Sequence, residues 1–110
     1  MSRIEENKNF LNLLCNSKRK IQRILIKNAS KEQIYSICEI ILNILNQNLK
    51  IDDKVLKNLS KKKNTLRQLI KKGSLKKKKY LIQKGGFLQF LIPAIITELA
   101  SIVSSIIEKV

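Results

Sequence analysis

Between Lys54 and Lys84 the chain carries thirteen Lys or Arg residues and not one Asp or Glu. Like charges at this density repel one another unless a counter-charge is supplied. A fold containing this stretch must spread it over a surface and must meet a polyanion there. Gly85-Gly86 follows, and then a tail that is almost wholly apolar down to Leu99 and Ala100. That tail has to be buried against something other than water.

The segregation of charge is sharp. Residues 1–53 are net +3, residues 54–84 net +13 and residues 85–110 net −1, in a chain of 110 residues with net charge +15. The length suits one small domain with a modest core. Three stretches follow from the pattern: a helical front half over 1–52, a polybasic helical region over 53–84, and a glycine hinge with an amphipathic, apolar tail over 85–110. Nucleic acid and an anionic membrane surface are the polyanions that such a block suits.

Catalysis has no support in the residue types. The chain has no His, no Gly-rich phosphate loop and no paired carboxylates in an apolar setting, so no catalytic residue and no cofactor are expected. Its two cysteines, Cys15 and Cys38, are too few for a metal site without other ligands. Both sit in apolar helical patterns and read as buried free thiols of a reducing compartment. The start, MSRIEENKNF, holds acids and no apolar run, so no signal peptide is expected.

The periodicity predicts an all-α fold, a small bundle of four to six short helices with a hinged amphipathic C-terminal helix. A first helix covers 5–15. Ser17 is placed to cap a second over 18–28, with Ile21, Ile24, Leu25 and Asn28 on its inner face and Lys18, Arg19, Lys20, Arg23 and Lys27 around the rest. Ser30 and Gln33 form a capping-box signature for a helix over 31–47. There Ile34, Ile37, Cys38, Ile41, Ile44 and Leu45 recur at helical spacing, and Ile40 and Leu42 widen the stripe, so this helix is expected at the centre. Asn46-Gln47-Asn48 ends it. Asp52 or Asp53 caps the next. A break is expected near Ser60, because one continuous helix would put Lys62 and Lys63 inside an apolar stripe. Ser60 or Asn64 then caps a helix to Lys72, closed by Gly73. Ser74 caps the last basic helix, 75–84, whose apolar contacts are Leu75, Tyr80, Leu81 and Ile82.

Phosphate contact in the basic block falls to Lys61, Lys62, Lys63, Arg67, Lys71, Lys72, Lys76, Lys77, Lys78, Lys79 and Lys84. Lysine binds phosphate as a point charge and carries no base code. Arg67 is the only arginine of the block and Tyr80 its only aromatic, so the binding expected is sequence-independent and salt-sensitive. A helix-turn-helix arrangement of the short basic helices stays open.

Gly85 and Gly86 are the hinge. Phe87 to Ile107 is 21 residues, long enough to span a bilayer. Against simple spanning stand Glu98 near the middle, Pro93, which fits the first turn of a helix, and the gathering of Thr97, Glu98, Ser101, Ser104, Ser105 and Glu108 on one face. Four readings remain: docking onto the domain, self-association, membrane insertion as an oligomer, and a single-pass anchor. The residues that would meet a membrane or a second copy are Phe87, Leu88, Phe90, Leu91, Ile95, Ile96, Leu99, Ile102, Val103 and Ile106.

The order of features resembles a known group. ILIKNASKEQIYSICEIILNILN, then KNLSKKKNTLRQLIKKGSLKKKKYLIQKGGFL and an apolar tail, resemble small basic proteins of Maverick/Polinton-type elements and adintoviruses, which have been likened to adenovirus core protein X. The likeness runs over roughly residues 19–95 and is sharpest in SLKKKKYLIQKGGFL, residues 74–88. It implies a nucleoprotein of a virion interior or host nucleus, bound to double-stranded DNA, with Lys76 to Lys79 and Lys84 in the matching basic motif. It also allows a membrane-active accessory role and contact with capsid components through the C-terminal helix. Core protein X is short and arginine-rich, whereas this chain is lysine-rich with a structured front half. The maturation protease of such viruses favours an apolar residue, any residue, then a glycine pair. Here Gln83 stands where the apolar residue belongs, so cleavage at Gly85-Gly86 is not expected.

Overall fold

The computed structural model describes the backbone of residues 3–46 and 51–109 and the side chains of 3–46, 51–84 and 86–102. Among the described residues there are eight α-helices, one 3-10 turn and no strand. The helices are α1 (Arg3–Glu6), α2 (Lys8–Cys15), α3 (Arg19–Lys27), α4 (Lys31–Leu45), α5 (Asp53–Ser60), α6 (Lys63–Ile70), α7 (Leu75–Gln83) and α8 (Phe87–Lys109), with the 3-10 turn at Lys84–Gly86.

Local chemistry sets most of the boundaries. Ser30 Oγ accepts from the Gln33 amide at 3.1 Å while Gln33 Oε1 accepts from the Ser30 amide at 2.8 Å, so the capping box is complete. Asp52 Oδ1 accepts from the Lys54 amide and Ser74 Oγ from the Lys77 amide, which starts α5 and α7. The first predicted helix is two pieces, α1 and α2, broken at Asn7, whose side chain donates to Arg3 O. Ser17 does not cap α3: its hydroxyl turns back to Leu13 O, and the N-cap position belongs to Lys18. The break at Ser60 is present, but α6 starts after Lys62 with no side-chain cap from Ser60 or Asn64. Lys62 instead lies over the Phe90 ring, 5.4 Å from its centroid, a cation–π contact that keeps its charge out of the apolar stripe. Gln47 and Asn48 lie outside the described residues.

The core is built around α4, which packs against α1, α6, α7 and α8. Ile34, Ile37, Ile40, Ile41 and Ile44 are buried there, and Cys38 with them. Helix α8 packs against α2, α4, α5 and α7. It brings Phe87, Leu88, Leu91, Ala94 and Ile95 into the same core, so the segments 1–52, 53–84 and 85–110 share one hydrophobic interior. The Cα radius of gyration, 13.3 Å, is that of a domain of about 100 residues.

Two helices sit differently from expectation. In α3 the inner face is Gln22, Leu25 and Ile26, while Ile21 and Ile24 are 44% and 49% exposed. The reason is polar: buried Gln22 donates to Leu14 O at 2.9 Å and accepts from Gln89 Nε2 at 2.9 Å, which ties α2, α3 and α8 together. In α8 Pro93 is interior rather than in the first turn. The helix extends back to Phe87 because Phe87, Leu88 and Leu91 gain burial there.

The glycine pair forms a corner. Helices α7 and α8 meet at 97°, the Phe87 amide closes the turn on Lys84 O, and Gly86 has φ 73°. That is the left-handed region open to glycine. Helix α6 ends at Ile70 with Lys71 as its C-cap, short of the expected Lys72, so Gly73 is not its C′ residue and does not have positive φ.

Candidate nucleic-acid interface

Helix α7 organises the site. Its buried residues are Lys78, Leu81 and Ile82. At about 100° per residue Lys76, Tyr80 and Gln83 lie on the opposite, outward face. Lys78 therefore does not join the surface assigned to it. It is 5% exposed, and its ammonium donates to Leu69 O and, at 2.7 Å, to Lys71 O. Those carbonyls end α6, where no following amide reaches back to them. The buried ammonium serves there in place of a left-handed Gly73, and its charge suits the negative end of the helix dipole. Leu69 O also accepts from Cys38 Sγ at 3.5 Å.

On one flank of α7 lies α3. Lys79 Nζ donates to Lys27 O at 2.9 Å, and Gln83 Nε2 to Arg23 O at 3.3 Å. A groove of about 560 Å³ runs here, lined by Lys27, Leu75, Lys76, Lys79, Tyr80 and Gln83. On the other flank lies the end of α6, with a groove of about 320 Å³ whose lining includes Gln68, Lys71, Lys72 and Lys77. Tyr80 stands at the crest, 62% exposed, with Lys84 Nζ 5.9 Å from its ring centroid. Helices α3, α6 and α7 hold no acid between them. The acids of the described residues sit on α1, α4 and α8 and at the start of α5.

The predicted cations are thus divided. Lys71, Lys72, Lys76, Lys77, Lys79 and Lys84 gather around α7, and Arg67 is exposed on α6 one turn before Lys71. Lys61, Lys62 and Lys63 are at the far end of α6, roughly 12 Å away along the helix. Arg19, Arg23 and Lys27 join the site from outside the block. Four residues apart along α3, they lie on the side that meets α7: Lys27 lines the groove with Lys76 and Lys79, and Arg19 and Arg23 line a neighbouring hollow with Gln83. Sequence reading placed them on the solvated face of their own helix. Nothing in the local pattern linked Lys27 to Lys79, 52 positions on.

Of the predicted membrane or self-association residues, Phe87, Leu88, Leu91 and Ile95 are buried in the domain, and Phe90, Leu99 and Ile102 are half-buried. Ile96 is 51% exposed. The side chains of Val103 and Ile106 lie outside the described residues. Among the described residues no single helix is long and apolar enough to cross a membrane; α7 and α8 together satisfy length and composition only as a pair bent by 97°. Glu98 turns inward, accepting from Asn43 Nδ2 at 2.9 Å. Burial pushes its carboxyl above the ordinary range against that hydrogen bond, and the Glu39 charge adds to the rise.

Both cysteines are free. Burial pushes the Cys15 thiol up to about 11, and it raises Cys38 as well, partly opposed by Lys78 and Arg3. Neither is the low-pKa thiol of a reactive site. Among the described residues no group of His, Cys, Asp or Glu is placed to hold a metal ion. Comparison of the chain with protein-family models, with curated proteins and with solved structures returns no match.

Proposed function

We propose that this chain is a non-enzymatic, sequence-independent DNA-binding nucleoprotein of a virus or virus-like mobile element, which neutralises packaged DNA in a virion interior or host nucleus. The observation that carries the reading is the acid-free cationic face formed by α3, the α6–α7 turn and α7. It gathers Arg19, Arg23, Lys27, Lys71, Lys72, Lys76, Lys77 and Lys79 on adjoining elements. Such a face neutralises phosphates and releases their counterions, whatever the base sequence. The resemblance of SLKKKKYLIQKGGFL to the Maverick/Polinton and adintovirus proteins supports the same reading and supplies the viral setting.

Duplex binding measured by fluorescence anisotropy over a salt series tests it. With six to ten phosphates contacted, affinity falls about 10³- to 10⁵-fold between roughly 50 and 200 mM salt, and equally for unrelated sequences. Replacing Lys76, Lys77 and Lys79 together with Gln reduces that slope. A flat salt response, or binding that survives the triple substitution unchanged, sinks the reading.

A second reading, a membrane-active accessory protein, is favoured by one observation: the bent α7–α8 pair has the length and apolar composition of a broken span. It requires the buried face of α8 to leave the core.

A further inference from the structure

Charge alone does not distinguish one polyanion from another, but the shape around α7 does. The helix stands between two cation-lined grooves. On the α3 side the cations are Lys27, Lys76 and Lys79; on the α6 side they are Lys71, Lys72 and Lys77. Hydrogen bonds fix both flanks, through Lys79 and Gln83 to α3 and through Lys78 to the end of α6. On the outward face of α7, Tyr80 and Lys76 form the outer wall of the α3-side groove, and among the described residues Tyr80 is the most exposed of the large apolar side chains. A folded domain leaves a ring there at the cost of hydrating it.

We infer that α7 enters the major groove of B-form DNA, with Tyr80 at the base edges and the two cationic grooves receiving the two phosphate strands. The inference rests on the DNA-binding reading above and goes beyond it by naming the docking element and the groove it enters. The dimensions agree. A helix with its side chains is about 10–12 Å across, and the B-form major groove is about 12 Å wide and 8.5 Å deep. The A-form major groove of an RNA duplex is deep and too narrow for side chains to read. A ridge flanked by cations on both sides therefore fits DNA and is turned away by double-stranded RNA. The crest reads little sequence, because Tyr80 and the lysine stems offer apolar contact and point charge rather than a bidentate pair. This keeps the binding unspecific while making it selective for groove geometry.

The test uses the full chain and two short duplexes of matched sequence, one DNA and one RNA, titrated side by side at moderate salt. DNA is expected to bind about tenfold or more tightly than RNA. Methyl green, a major-groove ligand, is expected to compete, and netropsin, a minor-groove ligand, is not. Tyr80→Ala should lower DNA affinity several-fold and leave RNA affinity unchanged, whereas Lys71→Gln with Lys72→Gln should lower both. Tyr80 is exposed, so the variant keeps its fold, checked by circular dichroism. Equal affinity for the two duplexes, competition by netropsin alone, or an equal loss on both duplexes from Tyr80→Ala overturns the inference while leaving the duplex-binding reading standing. Failure to bind either duplex at low salt overturns both.

Discussion

Four adjacent lysines carry the same charge, and burial gives them different tasks. Lys76, Lys77 and Lys79 keep their ammonium groups at or near solvent, while Lys78 spends its own on the last carbonyls of α6. Lys78→Met keeps the stem and removes the donor, leaving buried Leu69 O without its ammonium at a cost of about 1–3 kcal/mol. Thermal unfolding should show a fall in Tm of several degrees. Lys77→Gln should leave Tm nearly unchanged, since an exposed substitution is usually worth within about 0.5 kcal/mol, and should weaken DNA binding. Glu98 gives a prediction in pH. Its folded pKa is raised, so the folded state holds the proton more tightly than the unfolded chain does. The stabilisation is present below the ordinary carboxylate range and is lost as pH climbs through the raised value. Glu98→Gln keeps the acceptor for Asn43 and removes the half-buried charge. Melting curves should show it more stable than the parent at pH 7, with the advantage gone in acid.

At the scale of elements, what the sequence discloses is what is local. The Ser30–Gln33 box, the Asp52 and Ser74 caps and the break after Ser60 are decided within three or four residues, and each is legible. The central place of α4 is legible too, since isoleucines at 34, 37, 40, 41 and 44 make a stripe too wide for one neighbour, although Leu42, expected to widen it further, is 42% exposed. The rotation of α3 is not, because it depends on Gln22 finding Gln89, 67 positions away. The candidate site was half legible for the same reason: α7 and the α6–α7 turn are contiguous in sequence, but the α3 strip reaches them only through the fold. Lys78 was misread because a lysine run carries no mark of which member turns inward. Pro93 inside α8 is a case of burial outweighing propensity. It has no N–H for the carbonyl of Gln89, an interior cost of about 3 kcal/mol, and the burial of Phe87, Leu88 and Leu91 exceeds that. Pro93→Ala should therefore raise the Tm, as read by calorimetry; a lower Tm would mean that the proline fits a bend the helix needs.

For the whole molecule the decisive fact is that α8 serves the core. Phe87, Leu88, Leu91 and Ile95 are buried, each worth about 1.5–3 kcal/mol. Their sum is comparable to the entire net stability of a small domain, about 5–15 kcal/mol. Deleting residues 87–110 should unfold the remainder, visible as lost helical signal. The same arithmetic makes core and bilayer competitors for one apolar face. Leakage of anionic vesicles should be absent from the folded chain and appear only under conditions that melt it; leakage by the native fold would show that α8 leaves the domain freely. The corner that delivers α8 to the core has a handedness of its own. Gly86, at φ 73°, has the φ sign opposite to that of ordinary L-residues, and a methyl group built there meets nothing within 4 Å. Any penalty for Gly86→Ala is thus one of chirality rather than space, about 1–2 kcal/mol. In a chemically synthesised chain, D-alanine at this position should melt higher than L-alanine, because the mirror-image residue prefers the backbone that this turn already has.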